Sequence, residues 1–400
     1  MNRGDGHYRL VWQPALAAVD RAAWDRLALT AAFPFLEWDW LELLESSGSI
    51  TPARGWTPQH LTVWDGQRLV AAAPFYIKPD DQGEFVFDHP WAEAARRLGA
   101  PYYPKLVGAV PVTPLDGYRF LFDPDHDEER LTRVMVQGIR ERCEALGLGG
   151  CHLHFVTSEA RSALARCGFQ AWHHHGFLWS NAPYADFEEF LDRFNRNQRR
   201  NIRRERERLS RSGIRVDIYR GEEIPEAFFH RMFRWYSHTH DRYGPRAARY
   251  LTEDFFVGLS RRWRHRLLFT AARRPEDPAA TPLGMAMLVH KGKRLYGRYW
   301  GGDPRLPLVH FETCYYRPIQ WAIAMGLDTF DPGMGGAHKL RRGFVSRSTP
   351  SLHRFTHPRL TALMAAHIEG LNRLQERHVE ALNAAMPLRI PDRSSAGFTI

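Results

Sequence analysis

Residues 295–344 of this 400-residue chain read LYGRYWGGDPRLPLVHFETCYYRPIQWAIAMGLDTFDPGMGGAHKLRRGF. A strand pattern ends at Trp300 and runs into two glycines, and a helix pattern follows from about His310 to Met325. A second strand, LDTF, leads into a glycine-rich loop that carries four potential cations. Glycines after a strand let backbone amides approach an anion or a developing oxyanion. The stretch therefore predicts a strand–helix–strand unit that ends in an anion-seeking loop.

The chain on either side of this stretch shows one order of elements twice. In each half, helices are followed by antiparallel strands, and then by a helix and a further strand. This order is typical of an α+β fold rather than of alternating βαβ units. A chain of 400 residues also exceeds one typical hydrophobic core. We therefore predict two domains, residues 1–182 and 183–388, followed by a tail at 389–400.

An insertion of about residues 82–121 interrupts the first half. It is rich in proline, glycine and aromatic residues, and is both too apolar for a linker and too irregular for a sheet. Within it, Tyr102, Tyr103 and Lys105 would suit the wall of a ligand pocket. Simple packing of the tyrosines in the core explains them equally well.

The predicted helix of the quoted stretch carries a candidate catalytic glutamate. Glu312 falls on a polar face, apart from the apolar stripe that faces the core. Such a glutamate is either an ordinary surface residue or a catalytic one. Pro318 removes a backbone hydrogen bond inside this helix, so we expect a kink there.

The glycine-rich loop after LDTF holds the other candidate site residues. His338 could take up a proton near neutral pH. Lys339, Arg341 and Arg342 could hold a phosphate or a carboxylate. The alternative is an exposed basic loop without a ligand.

Residues 193–211 form the most basic segment, with nine arginines and two glutamates out of a formal net charge of +10 for the chain. A helix here would pack one narrow apolar edge and present arginine forks, which suit phosphate oxygens. Three interpretations are open: a solvated face, a site for a phosphorylated ligand or cofactor, and a nucleic-acid arm. Aromatic residues that could stack on bases are missing after Phe194. We therefore expect the helix to line a cleft between the halves and to bind ligand phosphates, not to act as a general nucleic-acid arm.

The composition limits the class of protein. Hydrophobic residues make up 44% and aromatic residues 13% of the chain, which excludes general disorder. No apolar run is long enough to span a membrane, and the N-terminus lacks the apolar core of a signal peptide. The four cysteines show no CxxC pairing, and the histidines of residues 151–155 and 173–175 lack the spacing of a zinc site. These features predict a cytoplasmic protein without a metal.

Seven ordered blocks resemble the FemAB-like predicted N-acyltransferases of the GNAT superfamily. They lie within about residues 33–353 and read EWDWLELL, GEFVFDHPWAEAARRLGAPYYPKL, AVPVTPLDGYRFL, NRNQRRNIRRERERL, LYGRYWG, HFETCYY and PGMGGAHKLRRGF. The resemblance implies two tandem GNAT-like domains with a cleft between them, each a mixed and mostly antiparallel sheet flanked by helices. It also implies transfer of an acyl or aminoacyl group from a thioester or ester to an amine. Better-known relatives move an aminoacyl group from aminoacyl-tRNA onto a peptidoglycan precursor.

The resemblance further implies roles for individual residues. Glu312 is the stronger candidate base, because Ala337 stands where the family commonly has a glutamate, and His338 is the second candidate. Backbone amides near residues 300–302 would stabilise the oxyanion. The predicted substrate-binding residues are Tyr102, Tyr103, Lys105, Arg199, Arg200, Arg203, Arg298, Tyr299, Trp300, His310, Lys339, Arg341 and Arg342.

The expected substrates follow from the same resemblance. The donor would be acyl-CoA or aminoacyl-tRNA, and the acceptor a small-molecule amine, with no tightly bound cofactor. The alternative function belongs to another class: a non-catalytic protein that uses the GNAT scaffold to bind a phosphorylated or RNA ligand.

Overall fold

The structure is a computed structural model that describes residues 8–241, 249–274, 276 and 281–389, so the predicted tail lies outside it apart from Arg389. Its strands are β1 (Arg9–Gln13), β2 (Thr57–Pro58), β3 (His60–Asp65), β4 (Arg68–Ala73), β5 (Phe75–Lys78), β6 (Lys105–Gly108), β7 (Leu121–Phe122), β8 (Gly150–Leu153), β9 (Gln170–Ser180), β10 (Arg215–Arg220), β11 (Leu267–Arg273), β12 (Gly284–Lys291), β13 (Arg294–Gly302), β14 (Thr329–Asp331) and β15 (Val345–Phe355). Its α-helices are α1 (Arg21–Ala28), α2 (Trp38–Ser46), α3 (His89–Arg97), α4 (Glu128–Ala145), α5 (Ser158–Arg166), α6 (Phe187–Asp192), α7 (Arg196–Arg211), α8 (Glu226–Asp241), α9 (Glu253–Arg262), α10 (Pro307–Phe311), α11 (Arg317–Ala324) and α12 (Pro358–Ala384). None of the helices in these ranges is long and apolar enough to cross a membrane.

Both halves of the chain build one large sheet. Its strand order is β10–β11–β12–β13–β14–β9–β15–β8–β6–β5–β2. Neighbouring strands are antiparallel, except for the parallel pairs β6–β8 and β13–β14. A smaller antiparallel sheet has the order β1–β3–β4–β7. The predicted α+β fold class, with mixed and mostly antiparallel sheets, is confirmed.

The two halves interleave at the centre of the large sheet. β9 comes from the first half but pairs with β14, whereas β15 comes from the second half and pairs with both β9 and β8. α12 packs across β9 and β15. The aromatic core is shared as well, since Trp40 of the first half contacts Phe255 and Trp263 of the second, with ring centroids 5.1 and 4.9 Å away. The division at residues 182/183 therefore stays a prediction.

The insertion at residues 82–121 contains regular structure, which corrects the expectation that it is too irregular for a sheet. α3 lies within it, and β6 lies between β5 and β8 in the large sheet. β6 begins with the fully buried Lys105. A lysine is seldom fully buried unless it is paired, so a four-residue strand that starts with one does not look like a core strand in the sequence.

The quoted stretch forms β13, a helical segment and β14, as predicted. Between α10 and α11 the chain makes a π-helical turn, Glu312–Tyr316. Pro318 is the second residue of α11, directly after this turn, and its missing N–H leaves one regular α-helical hydrogen bond unmade there. The irregularity expected at this proline is thus a π turn that comes just before it.

Candidate active site

A cavity of about 310 Å³ opens where β13 and β14 separate. β13 pairs with β14 only over Arg294–Tyr296, and then continues to Gly302 without that partner. The two backbone segments are still close at Gly297, where a Cβ would lie 3.3 Å from the backbone of Pro332. Beyond this point the residues of β13 line the cavity. The separation of two parallel strands therefore creates the site.

The predicted site residue Arg298 lies at an irregularity of β13. The register of β13 against β12 shifts by one residue here, and such a bulge re-aims the side chain. The Arg298 guanidinium donates to the backbone oxygen of Val112 and to the Tyr299 hydroxyl, both at 2.8 Å. Arg298 therefore ties the cavity to the insertion of the first half.

Two imidazoles face the cavity, as the sequence predicts for His310 and His338. Their ring centroids are 5.7 Å apart. Burial, with the neighbouring cations, lowers the pKa of His338 to about 4. Burial, with the charge of His338, lowers the pKa of His310 to about 3. Both rings are unprotonated at neutral pH and can accept a proton.

Tyr315 is a cavity residue that the sequence analysis did not assign to the site. Its hydroxyl lies 2.9 Å from His338 Nε2. Burial raises the pKa of the phenol, so at neutral pH the hydroxyl keeps its proton and can donate it to the imidazole. Its position, four residues before Ile319 on the apolar stripe, indicated a core residue rather than a site residue.

Lys339 is a buried lysine whose ammonium donates hydrogen bonds only to backbone groups among the residues that the structure describes. Nζ donates to the carbonyl oxygens of Gly333 and Met334 at 2.7 and 3.1 Å. Burial lowers its pKa to about 8. The cavity therefore contains a group that is a cation at neutral pH and loses its proton at slightly higher pH.

Glycines shape the loop that carries these groups. Gly333, Gly335 and Gly336 have φ angles of 81°, 83° and 77°, a left-handed conformation that other residues rarely adopt. A Cβ at Gly336 would also lie 2.3 Å from Cε1 of His338. A side chain there would displace the imidazole.

Glu312 lies in a different cavity from His338. Its carboxylate accepts hydrogen bonds from Nη2 and Nε of Arg206 at 2.9 and 3.1 Å, and the residue is only 7% exposed. Both residues line a cavity of about 720 Å³ between α7, β10 and the π turn. The two candidate bases therefore do not share the 310 Å³ cavity.

The two arginines at the end of the loop do not line the cavity of His338. Arg342 is buried, donates to the backbone oxygen of His338 at 2.9 Å, and stacks 3.5 Å from the ring centre of Phe311. Arg341 is exposed. Arg342 thus stabilises the loop that holds His338, whereas Lys339 is the loop cation that enters the cavity.

The arginine-rich helix α7 covers one face of the second half. Arg199 pairs with Asp192 at 2.6 Å and Arg203 pairs with Glu188 at 2.7 Å, both on α6, while Arg200 is exposed. Among the described residues, no hydrogen bond or ion pair joins an arginine of α7 to the first half. These contacts do not support the expected position of the helix in a cleft between the halves.

The predicted pocket residues of the first half form a buried ionic cluster. Lys105 Nζ donates to Glu84 at 2.8 Å and to Asp88 at 2.5 Å. Asp88 also accepts hydrogen bonds from the hydroxyls of Tyr102 and Tyr103 at 2.6 and 3.3 Å. Since Lys105 and both tyrosine hydroxyls are paired with buried carboxylates of the same cluster, core packing explains Tyr102, Tyr103 and Lys105 better than a pocket wall does.

Several histidines of the central strands are likewise bound to one another. His152 and His353 face each other with 2.7 Å between their Nδ1 atoms, and Ser351 Oγ lies 2.7 Å from His353 Nε2. Burial lowers the pKa of both rings, so both are neutral. Within the described ranges, no group of three or more His, Cys, Asp or Glu is placed to hold a metal ion.

Comparison with known proteins identifies the family. Residues 15–390 match the model of the FemAB-like family, which is described as peptidoglycan biosynthesis/recognition. The match covers most of the chain, so the protein belongs to the FemAB-like family. No curated protein sequence matches the chain.

The chain is also similar to solved structures at low identity. FemX is 12% identical, with 80% of this chain and 93% of that chain covered and a TM-score of 0.49. L-PGS from Bacillus licheniformis is 11% identical, with 82% and 95% covered and a TM-score of 0.46. A tandem GNAT protein from the clavulanic acid biosynthesis pathway is 12% identical, with 88% and 99% covered and a TM-score of 0.42.

Proposed function

We propose that this protein is an N-acyltransferase, which moves an acyl or aminoacyl group from a thioester or ester donor to an amine in the cavity between β13 and β14. The observation that carries the proposal is the arrangement of Lys339, His338 and Tyr315 beside an unpaired strand edge. Acyl transfer needs a deprotonated amine, a stabilised oxyanion and a protonated leaving group. In this cavity Lys339 can meet the second need, and His338 with Tyr315 can meet the first and the third.

In the proposed reaction, the free electron pair of the amine attacks the carbonyl carbon of the donor. The carbonyl oxygen becomes an oxyanion, and the Lys339 ammonium stabilises it in a site with little water. The Tyr315 hydroxyl takes up the amine proton while it passes its own proton to Nε2 of His338, which is neutral at pH 7, and the same path returns a proton to the sulfur or oxygen that leaves. The products are an amide and a free thiol or hydroxyl.

The edge of β13 is suited to hold the donor. Among the described residues, no strand pairs with β13 on the side of β14 after Tyr296, and an unpaired strand edge binds extended chains through backbone hydrogen bonds. The pantetheine arm of an acyl-CoA contains amides that could bind in this way, and the terminal aminoacyl ester of a charged tRNA is the other candidate donor. The acceptor remains a small-molecule amine of unspecified identity.

Glu312 is a positioning residue in this proposal. Its ion pair with Arg206 joins α7 to the π turn, and through that turn to α10, which carries His310. The role of base that the sequence predicts for Glu312 stays a prediction, and the ion pair favours His338 over it.

The test is direct turnover. The purified protein is incubated with acyl-CoA or with aminoacyl-tRNA and a mixture of amines, and free thiol, deacylated tRNA and new amides are measured by mass spectrometry. We expect amide formation with one donor class, lost in Lys339→Met. Binding of both donors without any turnover would contradict the proposal and would favour the non-catalytic GNAT scaffold.

A further inference from the structure

Asp331 is a buried carboxylate at the point where β13 and β14 separate. It is the last residue of β14, and it pairs with Tyr296 at the end of the register that this strand shares with β13. The residue is only 8% exposed and does not line the cavity of His338 and Lys339. A carboxylate is seldom buried to this extent without a partner, so its contacts indicate its role.

The carboxylate of Asp331 holds the start of the glycine-rich loop. Its Oδ1 accepts a hydrogen bond from the backbone N–H of Gly333 at 2.9 Å. The carbonyl oxygen of the same glycine accepts a hydrogen bond from Lys339 Nζ at 2.7 Å. One residue, Gly333, therefore separates the carboxylate from the ammonium of the proposed reaction, and it binds both groups.

Asp331 is also the acidic group that affects the charge of Lys339. The other ionisable groups around this end of the cavity, as far as the structure describes it, are His310, Cys314, Tyr315, His338 and Arg342. Burial raises the pKa of the thiol and of the phenol and lowers that of both imidazoles, so all four are uncharged at pH 7. Burial lowers the pKa of Lys339 to about 8, and the charge of Asp331 opposes this shift.

Arg347 of β15 is the counter-ion of Asp331. Its two terminal nitrogens lie 3.4 Å from Oδ2 of Asp331 and 3.4 Å from Oδ2 of Asp116, a carboxylate of the insertion. A nearby cation favours the charged form of a buried carboxylate, which burial disfavours. Asp331 and Asp116 thus share one arginine. In the described part of the chain, only Asp331 of these two carboxylates has a hydrogen bond to the loop of Lys339.

We propose that Asp331 is a positioning residue for acyl transfer, which acts through Gly333 to keep Lys339 charged and in place in the cavity. The inference rests on the proposed function, since it concerns the lysine that would stabilise the oxyanion. A buried ammonium without a nearby anion gives up its proton more readily, and a neutral amine stabilises an oxyanion less well than an ammonium does. Because Asp331 does not line the cavity, it would affect the substrates only through Lys339.

The first experiment measures the charge of Lys339 without any turnover. The chain has five lysines, so the Cε signals of isotope-labelled lysine can be followed by NMR during a pH titration, and the signal that is missing in Lys339→Arg assigns this residue. Asp331→Asn removes the charge but keeps a side-chain oxygen that can accept from Gly333. The matched control is Asp116→Asn, the same change at the other carboxylate of Arg347. Equal thermal unfolding shows that the variants fold.

We expect the midpoint of the Lys339 titration to lie near 8 in wild type and to fall by about one unit or more in Asp331→Asn. It should stay close to the wild-type value in Asp116→Asn. Since the ammonium then loses its proton at lower pH, the alkaline limb of kcat in Asp331→Asn should move to lower pH by the same amount. Asp331→Ala also removes the acceptor for Gly333, so its kcat should be lower than that of Asp331→Asn even where the lysine is charged.

Two results would overturn the proposal. A wild-type midpoint in Asp331→Asn would show that this carboxylate does not control the charge of the lysine, even if kcat falls. An equal shift in Asp116→Asn would assign the effect to the charge of the whole cluster around Arg347, and not to the contact through Gly333. The titration also separates this inference from the proposed function. A shifted midpoint in a protein that transfers no acyl group would contradict the function and leave the link between Asp331 and Lys339 in place.

Discussion

Two buried lysines lie at comparable places in the two halves but have different kinds of hydrogen-bond partner. Lys105 begins β6, a member of the parallel pair β6–β8, and Lys339 lies in the loop after β14, a member of the parallel pair β13–β14. Lys105 is paired with two carboxylates, those of Glu84 and Asp88. Lys339 donates hydrogen bonds only to backbone carbonyls within the described part of the chain.

The pKa values of the two lysines record this difference. Burial alone lowers the pKa of both, because it disfavours the charged form. At Lys105 the two carboxylates outweigh burial and the pKa is raised, whereas at Lys339 burial dominates and the pKa falls to about 8. A buried charge that the protein neutralises stabilises the fold. A buried charge without a carboxylate in direct contact is available for chemistry.

The largest effect expected from this comparison is on stability, at Lys105. Lys105→Met leaves Glu84 and Asp88 buried without a cation, and breaking a buried pair in this way costs about 3–5 kcal/mol. Urea unfolding followed by circular dichroism measures the free energy of unfolding. The matched control is Lys339→Met, which leaves no carboxylate unpaired and should cost much less. Equal costs for the two variants would remove the distinction between the two lysines.

The next effect is on turnover, at Lys339. If its ammonium stabilises the oxyanion, Lys339→Met should lower kcat by about 100- to 1000-fold, the usual cost of removing one such donor. The apparent KM for the amine should change little. The conservative variant Lys339→Arg keeps the charge and should recover part of the activity. A Lys339→Met enzyme with wild-type kcat would exclude the lysine from the reaction.

The pH dependence of kcat and of stability provides a further test of the charge state of Lys339. Lys339 acts in its charged form, so kcat should fall as pH rises through about 8, and Lys339→Arg should lack this alkaline limb because arginine keeps its proton. Stability should change in the opposite direction. Between about 8 and its ordinary value of 10.5, this lysine binds more protons in the unfolded chain than in the folded one, so its contribution to stability rises with pH. A pH–rate profile and urea titrations at pH 7 and 10 measure both; an alkaline limb retained in Lys339→Arg would contradict the assignment.

Much of the fold could be predicted because its signals are local. The strand–helix–strand order of residues 295–344, the α+β class and an irregularity near Pro318 all follow from neighbouring residues. The strand Lys105–Gly108 could not be predicted in this way. Its lysine is compatible with a buried strand only because Glu84 and Asp88, 21 and 17 residues away, meet it in the fold.

The candidate site was partly predictable for the same reason. His310, His338 and Lys339 belong to one continuous stretch that also carries the glycines of the loop, and the structure brings them to one cavity. The ion pair of Glu312 with Arg206 spans 106 residues, a distance over which a sequence pattern gives no partner. The arginines of α7 were visible in the sequence, but which of them are paired depends on α6 and the π turn.

The smallest expected effect is on turnover, at Glu312, and it tests whether the rule drawn from the two lysines also holds for a carboxylate. Glu312 is a buried charge with a counter-ion, like Lys105, so the comparison assigns it to structure and not to chemistry. Glu312→Gln should therefore lower kcat by less than about 10-fold, whereas His338→Gln should lower it by about 100-fold or more, the range for a general base.

The two variants form a matched pair, since both residues have side chains that hydrogen-bond near the π turn and both are replaced by glutamine. Steady-state kinetics with the donor that proves active separates them, with thermal unfolding as the check that each variant folds. If Glu312→Gln loses 100-fold and His338→Gln does not, Glu312 is the base that the family resemblance implies, in spite of its ion pair. The rule drawn from the two lysines, that a buried charge with a counter-ion is structural, would then not hold for this carboxylate. The ion pair with Arg206 would have to open during the reaction. The 720 Å³ cavity beside α7 would then replace the cavity between β13 and β14 as the place of acyl transfer.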